Sequence, residues 1–171
     1  MARASKHGIQ ERERKFLIKK LPVNLSRFSH SDIEQGYLAI PRSNSRASEV
    51  RIRRTGREYM LTVKRGRGDT RDETEVPIAA ASARRLWPLT AGARVRKVRY
   101  KIPYHGLKIE LDVYRGRLRG LAVAEVEFPS VAAMKKFRPP DWFGREVTGK
   151  DAYSNSRLAT FGSGATARAR I

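Results

Sequence analysis

Short stretches of alternating apolar and polar residues recur along the chain, and each is bounded by residues that favour turns. They predict strands over residues 9–19 (IQERERKFLIK), 36–41 (GYLAIP), 48–54 (SEVRIRR), 58–65 (EYMLTVKR), 71–78 (RDETEVPI), 94–102 (RVRKVRYKI), 107–114 (LKIELDVY) and 121–128 (LAVAEVEF). The separators RTGR, GRGD, PYHG and RGRLRG carry turn chemistry. Helical signals are fewer. Ser31 and Asp32 predict the cap of a short helix ending at Gln35, residues 78–89 (IAAASARRLWPL) read as a helix that Pro88 ends, and Ser130 caps VAAMKKF before Pro139 and Pro140. Residues 141–161 are expected to pack back as a short helix or loop. Eight strands joined by hairpin-length turns predict a mainly β (α+β) protein, either an antiparallel barrel or a sandwich.

Side chains alternate between the faces of a strand, so each stretch divides into two sets. Glu11, Glu13 and Lys15 share one face of the first strand, and Arg51 and Arg53 share one face of the third. Lys64 opposes Leu61 and Val63; Glu73 and Glu75 share a face with Arg71; Lys97, Arg99 and Lys101 oppose Val98 and Tyr100. Glu110 and Asp112 oppose Ile109, Leu111 and Val113, and Glu125 and Glu127 oppose Ala124, Val126 and Phe128. A wet outer face over an apolar core accounts for each strand singly. It accounts less well for four same-face acid pairs, because neighbours of like sign repel. Paired carboxylates suit a hard divalent cation and paired arginines and lysines suit phosphate oxygens. The pattern therefore predicts a closed sheet with its charged face inward, around a hydrated tunnel, and helices outside.

Composition narrows the chemistry. The 171 residues suffice for about one domain. With no Cys and three scattered His, thiol chemistry, iron–sulfur clusters and zinc are disfavoured. No apolar run reaches the roughly 20 residues of a membrane helix, and the basic N-terminus lacks a signal-peptide core, so a soluble, cytoplasmic protein without membrane partners is expected. Lys and Arg number 37 against 17 Asp and Glu, a net charge of +20 that attracts polyanions.

The string ERERKFLI carries an E-x-E-x-K signature at Glu11, Glu13 and Lys15. With QGYL (35–38), VRIRR, YMLTVKRG, RDETEV, VRKVRY, IELDVYRGRL, AEVEF and WFGREVTGKDAYSN (142–155) in that order, the chain resembles the CYTH superfamily of triphosphate tunnel metalloenzymes. It is most similar to the short bacterial tripolyphosphatases that consist of the tunnel domain alone. The resemblance covers residues 9–159 and leaves 1–8 and 160–171 as flexible basic ends. It implies an eight-stranded antiparallel barrel forming a charged tunnel. It also implies that Glu11, Glu13, Glu73, Glu75, Asp112, Glu125 and Glu127 supply metal ligands, and that Lys15, Arg51, Arg53, Lys64, Lys97 and Arg99 hold phosphates, with Tyr37 lining the tunnel. Glu11, Glu13, Lys15, Lys97 and Arg99 are the catalytic candidates, and Mg²⁺ or Mn²⁺ the expected cofactor.

The expected activity is metal-dependent hydrolysis of the terminal phosphate of inorganic tripolyphosphate or a similar short-chain triphosphate, a reaction that depends mainly on charge neutralisation and positioning. A nucleoside or thiamine triphosphatase, or a class IV-type adenylate cyclase, is the alternative within the family, although no aromatic cluster is set aside for an organic group. A non-enzymatic binder of RNA or polyphosphate is the alternative outside it. Nucleic acid is not the expected partner, since the acid pairs repel its backbone; a homodimer is among the assemblies open to the chain. His105 is expected as a polar turn residue, Trp87 and Trp142 as packing between helix and barrel.

Overall fold

Between residues 94 and 114 the alternation is interrupted only at His105 and Gly106, which both have positive φ, 47° and 76°. Two such residues in succession make the tight turn that matches strand twist, and Tyr104 pairs directly with Leu107 across it. The computed structural model describes residues 12–41, 48–67 and 70–161. There a single nine-stranded antiparallel sheet forms from β1 (Glu13–Ile18), β2 (Ser29–Ala39), β3 (Glu49–Thr55), β4 (Glu58–Arg67), β5 (Thr70–Pro77), β6 (Arg94–Tyr104), β7 (Leu107–Tyr114), β8 (Ala122–Glu127) and β9 (Phe143–Glu146). The order across the sheet is β5-β4-β3-β2-β6-β7-β8-β1-β9.

The predominantly β class and the eight expected strands are present, with three differences. The helix expected from Ser31 to Gln35 is instead part of β2, which pairs with β3 on one side and β6 on the other. Here Ile33, Gln35 and Tyr37 alternate with Asp32, Glu34 and Gly36, and two-sided pairing outweighs the capping signal. Residues 141–161 contribute a ninth strand, which pairs with β1, and a terminal helix. The sheet is also not closed among the described residues. Strands β5 and β9 stand at its two edges without pairing to each other, leaving a seam where a continuous barrel was expected. Residues 9–11 of the first predicted strand lie outside the described residues.

Three α-helices accompany the sheet among the described residues: α1 (Ala80–Leu86), α2 (Val131–Lys136) and α3 (Asn155–Phe161). Helix α2 begins as its sequence predicts, with Ser130 Oγ accepting from the Ala133 amide at 3.1 Å. Together with Phe137, Trp142 and Phe143 it covers an apolar layer on the convex side, made by Phe16, Ile18, Ile102, Ile109, Leu111, Ala124 and Val126. Trp87, on the 3-10 turn after α1, stacks under the Arg94 guanidinium at 4.7 Å. Both tryptophans thus have the packing roles expected of them.

A second apolar cluster lies on the concave side. Leu17, Tyr37, Val95, Tyr114 and Val123, which share the strand faces of the charged residues, meet Val147, Tyr153, Leu158 and Ala159. The concave face therefore runs from charged at one end to apolar at the other, and the segment leading into α3 forms its floor. Helix α3 continues to Phe161, two residues past the expected domain end at 159.

The close contact at Gly36 fixes the 3-10 turn on the convex side. A Cβ there would lie 2.4 Å from Thr90 Oγ1 and 2.6 Å from Thr90 Cβ. Thr90 cannot move aside, because it is fully buried, donates to the Trp87 carbonyl at 2.8 Å and accepts from Arg94 Nε at 2.8 Å. Gly36→Ala should destabilise the fold by about 2 kcal/mol, a typical overpacking cost, and lower Tm by about 4–8 °C for a chain of this length. An unchanged Tm by differential scanning calorimetry would show that this contact is not tight.

Candidate active site

The pairing register brings the predicted charged residues onto one concave surface. Across β3, β4 and β5 the rows are Arg51 beside Thr62 beside Glu75, and Lys64 beside Glu73. Across β6, β7, β8 and β1 they are Arg99 beside Asp112, Glu110 beside Glu125, Glu125 beside Lys15, and Glu13 beside Glu127. Strand β2 joins the two banks, with Tyr37 opposite Arg51 and Gln35 opposite Arg53.

In the first bank Lys64 Nζ lies 2.8 Å from Glu73 Oε2, and Arg53 Nη2 lies 2.9 Å from Glu75 Oε1. Glu75 also accepts from Thr62 Oγ1 at 3.1 Å, and Arg51 reaches Glu73 at 3.5 Å. Burial alone would raise the Glu73 carboxyl, but its bond to Lys64 and the nearby arginines hold it below the ordinary range. Burial lowers the Arg53 guanidinium, and the charges of Arg51 and of Arg99 on the other bank lower it further. Arg51 Nε is buried and has no hydrogen-bond partner.

The second bank centres on Asp112, whose side chain is 1% exposed. Its Oδ1 accepts from Arg99 Nε at 2.7 Å, and its Oδ2 accepts from Arg99 Nη2 at 2.7 Å and from Lys97 Nζ at 2.5 Å. Burial pushes the Lys97 ammonium down to about 8 against the attraction of Asp112. Arg99 also pairs with Glu110 and, at 3.2 Å, with Glu125, which Lys15 Nζ approaches at 2.8 Å. Burial would raise Glu125, but Lys15, Lys97 and Arg99 hold it down at about 2. Tyr37 is 3% exposed and accepts from Gln35 Nε2 at 2.7 Å on the floor side of the channel.

The structure thus brings together Glu13, Lys15, Tyr37, Arg51, Arg53, Lys64, Glu73, Glu75, Lys97, Arg99, Asp112, Glu125 and Glu127. Glu11 lies outside the described residues. Lys150, in a block quoted for the resemblance, is exposed. Glu110, which its spacing of two paired with Asp112 in the sequence but which was not among the expected metal ligands, lines with Glu125 and Glu127 a cavity of 310 Å³ at the mouth. Thr62, Tyr114 and Asn155 border the channel as well, and their chemistry alone gave no reason to choose them.

The mouth suits a hard cation. Glu13 faces Glu127 and Glu110 faces Glu125 in direct register, an arrangement of like charges that is unfavourable unless cations intervene. Lys15, Arg99 and Lys108 serve in part. Among the described residues no three carboxylates or imidazoles converge as a ready cage, so a metal ion would draw carboxylates away from their present partners. Glu13, Glu110, Glu125 and Glu127 offer only oxygen donors, the set that Mg²⁺ and Mn²⁺ accept.

An arched antiparallel sheet whose concave face pairs acids with bases strand by strand defines a class, and residues 10–146 match the CYTH domain family. The chain belongs to that family. Among its relatives, the inorganic triphosphatase of Nitrosomonas europaea is 42% identical over 151 residues, covering 87% of this chain and 96% of that protein. The inorganic triphosphatase of Acetivibrio thermocellus is 37% identical over 126 residues, covering 72% and 77%. A crystal structure of an inorganic triphosphatase, 40% identical, superposes with a TM-score of 0.71 and covers 90% of this chain and 96% of the other. A Pyrococcus horikoshii protein, 16% identical with a TM-score of 0.52 over 73% of this chain and 84% of its own, shares the fold.

The depressed Glu125 carboxyl makes acid stability a test of this geometry. Because its folded-state value, about 2, lies below the ordinary 4.5, its contribution is complete above about pH 5 and disappears as pH falls toward 2. The stability difference between the wild type and Glu125→Gln should therefore be largest near neutrality and narrow across that window. Urea unfolding midpoints from pH 6 to pH 2.5 measure it. Parallel curves for the two proteins would contradict the ion pairs assigned to Glu125.

Proposed function

We propose that this chain hydrolyses the terminal phosphoanhydride bond of inorganic tripolyphosphate. One observation carries the reading: two banks of cations line the same concave face, joined by β2, and Arg51 Nε is buried there without a hydrogen-bond partner. A chain of phosphate oxygens is the ligand that satisfies such a lining, because guanidinium and ammonium groups match it in charge and donor geometry. The inorganic triphosphatases at 42% and 37% identity support the same substrate class.

Lys15, Lys97 and Arg99 would grip the substrate from one bank, and Arg51, Arg53 and Lys64 from the other. Neutralising the phosphate oxygens lets a water molecule approach the terminal phosphorus. As the water oxygen bonds to phosphorus, the bridging P–O bond breaks, pyrophosphate leaves and orthophosphate forms. A carboxylate at the mouth would accept the proton of the attacking water.

CYTH triphosphatases depend in general on a divalent metal ion. Glu13, Glu110, Glu125 and Glu127 are its holders in this proposal, together with Glu11 from outside the described residues. Bound there, Mg²⁺ or Mn²⁺ would supply Lewis-acid neutralisation of phosphate oxygens and help orient the attacking water. Asp112 has both oxygens committed to Lys97 and Arg99, which favours a positioning role over the metal-binding role that the resemblance implies. No helix among the described residues is long and apolar enough to cross a membrane, in keeping with action on a water-soluble substrate.

Phosphate release from tripolyphosphate, pyrophosphate, ATP and thiamine triphosphate, each with Mg²⁺, Mn²⁺ or a chelator, tests the reading. Tripolyphosphate should be the best substrate, and chelation should abolish turnover. Arg53→Ala should lower kcat/KM about 10- to 150-fold, since a charge-assisted contact contributes about 1.5–3 kcal/mol. Full activity in chelator, or an unaltered kcat/KM in Arg53→Ala, would refute the assignment concerned.

A further inference from the structure

Asn155 opens α3 at the closed end of the channel, and its carboxamide oxygen accepts two hydrogen bonds. Tyr114 Oη donates to Oδ1 at 2.6 Å and Lys97 Nζ donates at 3.2 Å. Both donors fix the orientation of the amide. An ammonium can only donate, and Tyr114 is kept protonated by burial and by the charges of Asp112 and Glu125. The other end of the helix is tied as well, because the Arg117 guanidinium donates to the carbonyls of Leu158 and Ala159. Asn155 is therefore held on a fixed element, between the apolar floor and the charged channel.

Lys97 is the deepest cation of its bank, and its side chain is 2% exposed. An ammonium has three N–H donors. One goes to Asp112 Oδ2 and one to Asn155 Oδ1, which leaves one for a ligand. A flexible lysine with a single partner would sample several positions, whereas two acceptors on different elements hold the nitrogen in place. We propose that Asn155 is a positioning residue, which with Asp112 fixes Lys97 Nζ so that its remaining N–H meets the phosphate entering the closed end of the channel. The inference rests on the triphosphatase reading given above. It assigns to the floor helix a part in the site as well as in closing it.

A double-mutant cycle on the full chain separates positioning from simple support of the fold. The readouts are kcat and KM for tripolyphosphate with Mg²⁺, and calorimetric binding of tripolyphosphate without metal. Asn155→Ala should lower kcat/KM about 10- to 50-fold in the wild type and weaken metal-free binding, yet change kcat/KM less than about 3-fold in a Lys97→Ala background. Tyr114→Phe removes the other bond to the same oxygen but leaves Lys97 its acceptor, so it should lower Tm and reduce kcat/KM by clearly less than Asn155→Ala does. The same loss from Asn155→Ala in both backgrounds, or a loss from Tyr114→Phe as large as that from Asn155→Ala, would overturn the proposal. Should Asn155→Ala fail to fold, Asn155→Asp retains the oxygen and adds a charge that competes with phosphate for Lys97. It should raise KM severalfold in the wild type and leave the Lys97→Ala background unaffected, and an equal rise in both would overturn the proposal. A wild-type protein that does not hydrolyse tripolyphosphate would instead refute the triphosphatase reading, a result distinct from either outcome.

Discussion

The grip of Asp112 on two cations is the interaction on which the rest of the site depends. Three charges removed from water are costly unless each finds its partners, and here the geometry supplies them: both carboxylate oxygens are used, and Arg99 binds in a forked manner. From Arg99 the chain of contacts runs to Glu110 and Glu125, and from Glu125 to Lys15. Side-chain charges thus link β6, β7, β8 and β1 on the concave side, while the apolar layer under α2 links the same strands on the convex side. Loss of Asp112 would leave Lys97 and Arg99 buried without their shared counter-ion, a larger penalty than the net contribution of the pairing itself.

This pairing relocates the protein's excess charge. The concave cations Lys15, Arg51, Arg53, Lys64, Lys97 and Arg99 stand among at least as many acids, namely Glu13, Glu73, Glu75, Glu110, Asp112, Glu125 and Glu127. The channel is close to neutral or acidic overall, so the net +20 belongs to the rest of the chain, including exposed Arg84, Arg85 and Arg96. A distributed outer charge acts as a long-range, salt-screened field that draws polyanions in. Discrimination between them falls to the channel, where donors are fixed at short range.

Much of this was legible in the alternation of residues. A period of two needs only a strand to place Glu110 with Asp112 or Lys97 with Arg99 on one face, and the cross-strand register then juxtaposed those sets. Where tertiary partners decided, the local signals failed. Ser31 and Asp32 read as a helix cap because nothing in that stretch announces that β3 and β6 will pair on both sides of it. The floor was equally hidden. Leu17, Val95 and Val123 share faces with Lys15, Lys97 and Glu125, but only the return of residues 147–159 gives those positions an apolar neighbour. Asn155 and Tyr114 owe their place to the same long-range closure, as does Thr148, whose hydroxyl accepts from the Lys15 amide at 3.0 Å.

The carboxylates of the channel divide into two kinds according to their exposure. Asp112, at 1%, has both oxygens bonded to Lys97 and Arg99 and keeps its cations throughout. Glu73, Glu125 and Glu75 are 18%, 18% and 21% exposed and are bonded to cations that face the channel. On the triphosphatase reading, substrate entry is then an exchange: phosphate oxygens take over Lys64, Arg51, Arg53 and Lys15, and the displaced glutamates regain free lone pairs. An exchange of one anion for another asks for far less desolvation than exposing bare cations in an empty channel would have required during folding. Glu125, one of the metal holders proposed above, is among the displaced carboxylates, so on that reading a metal ion and the substrate would each favour the binding of the other. Acids and bases on the same concave face are therefore two parts of one lining, in which each charge offsets the desolvation cost of its partner.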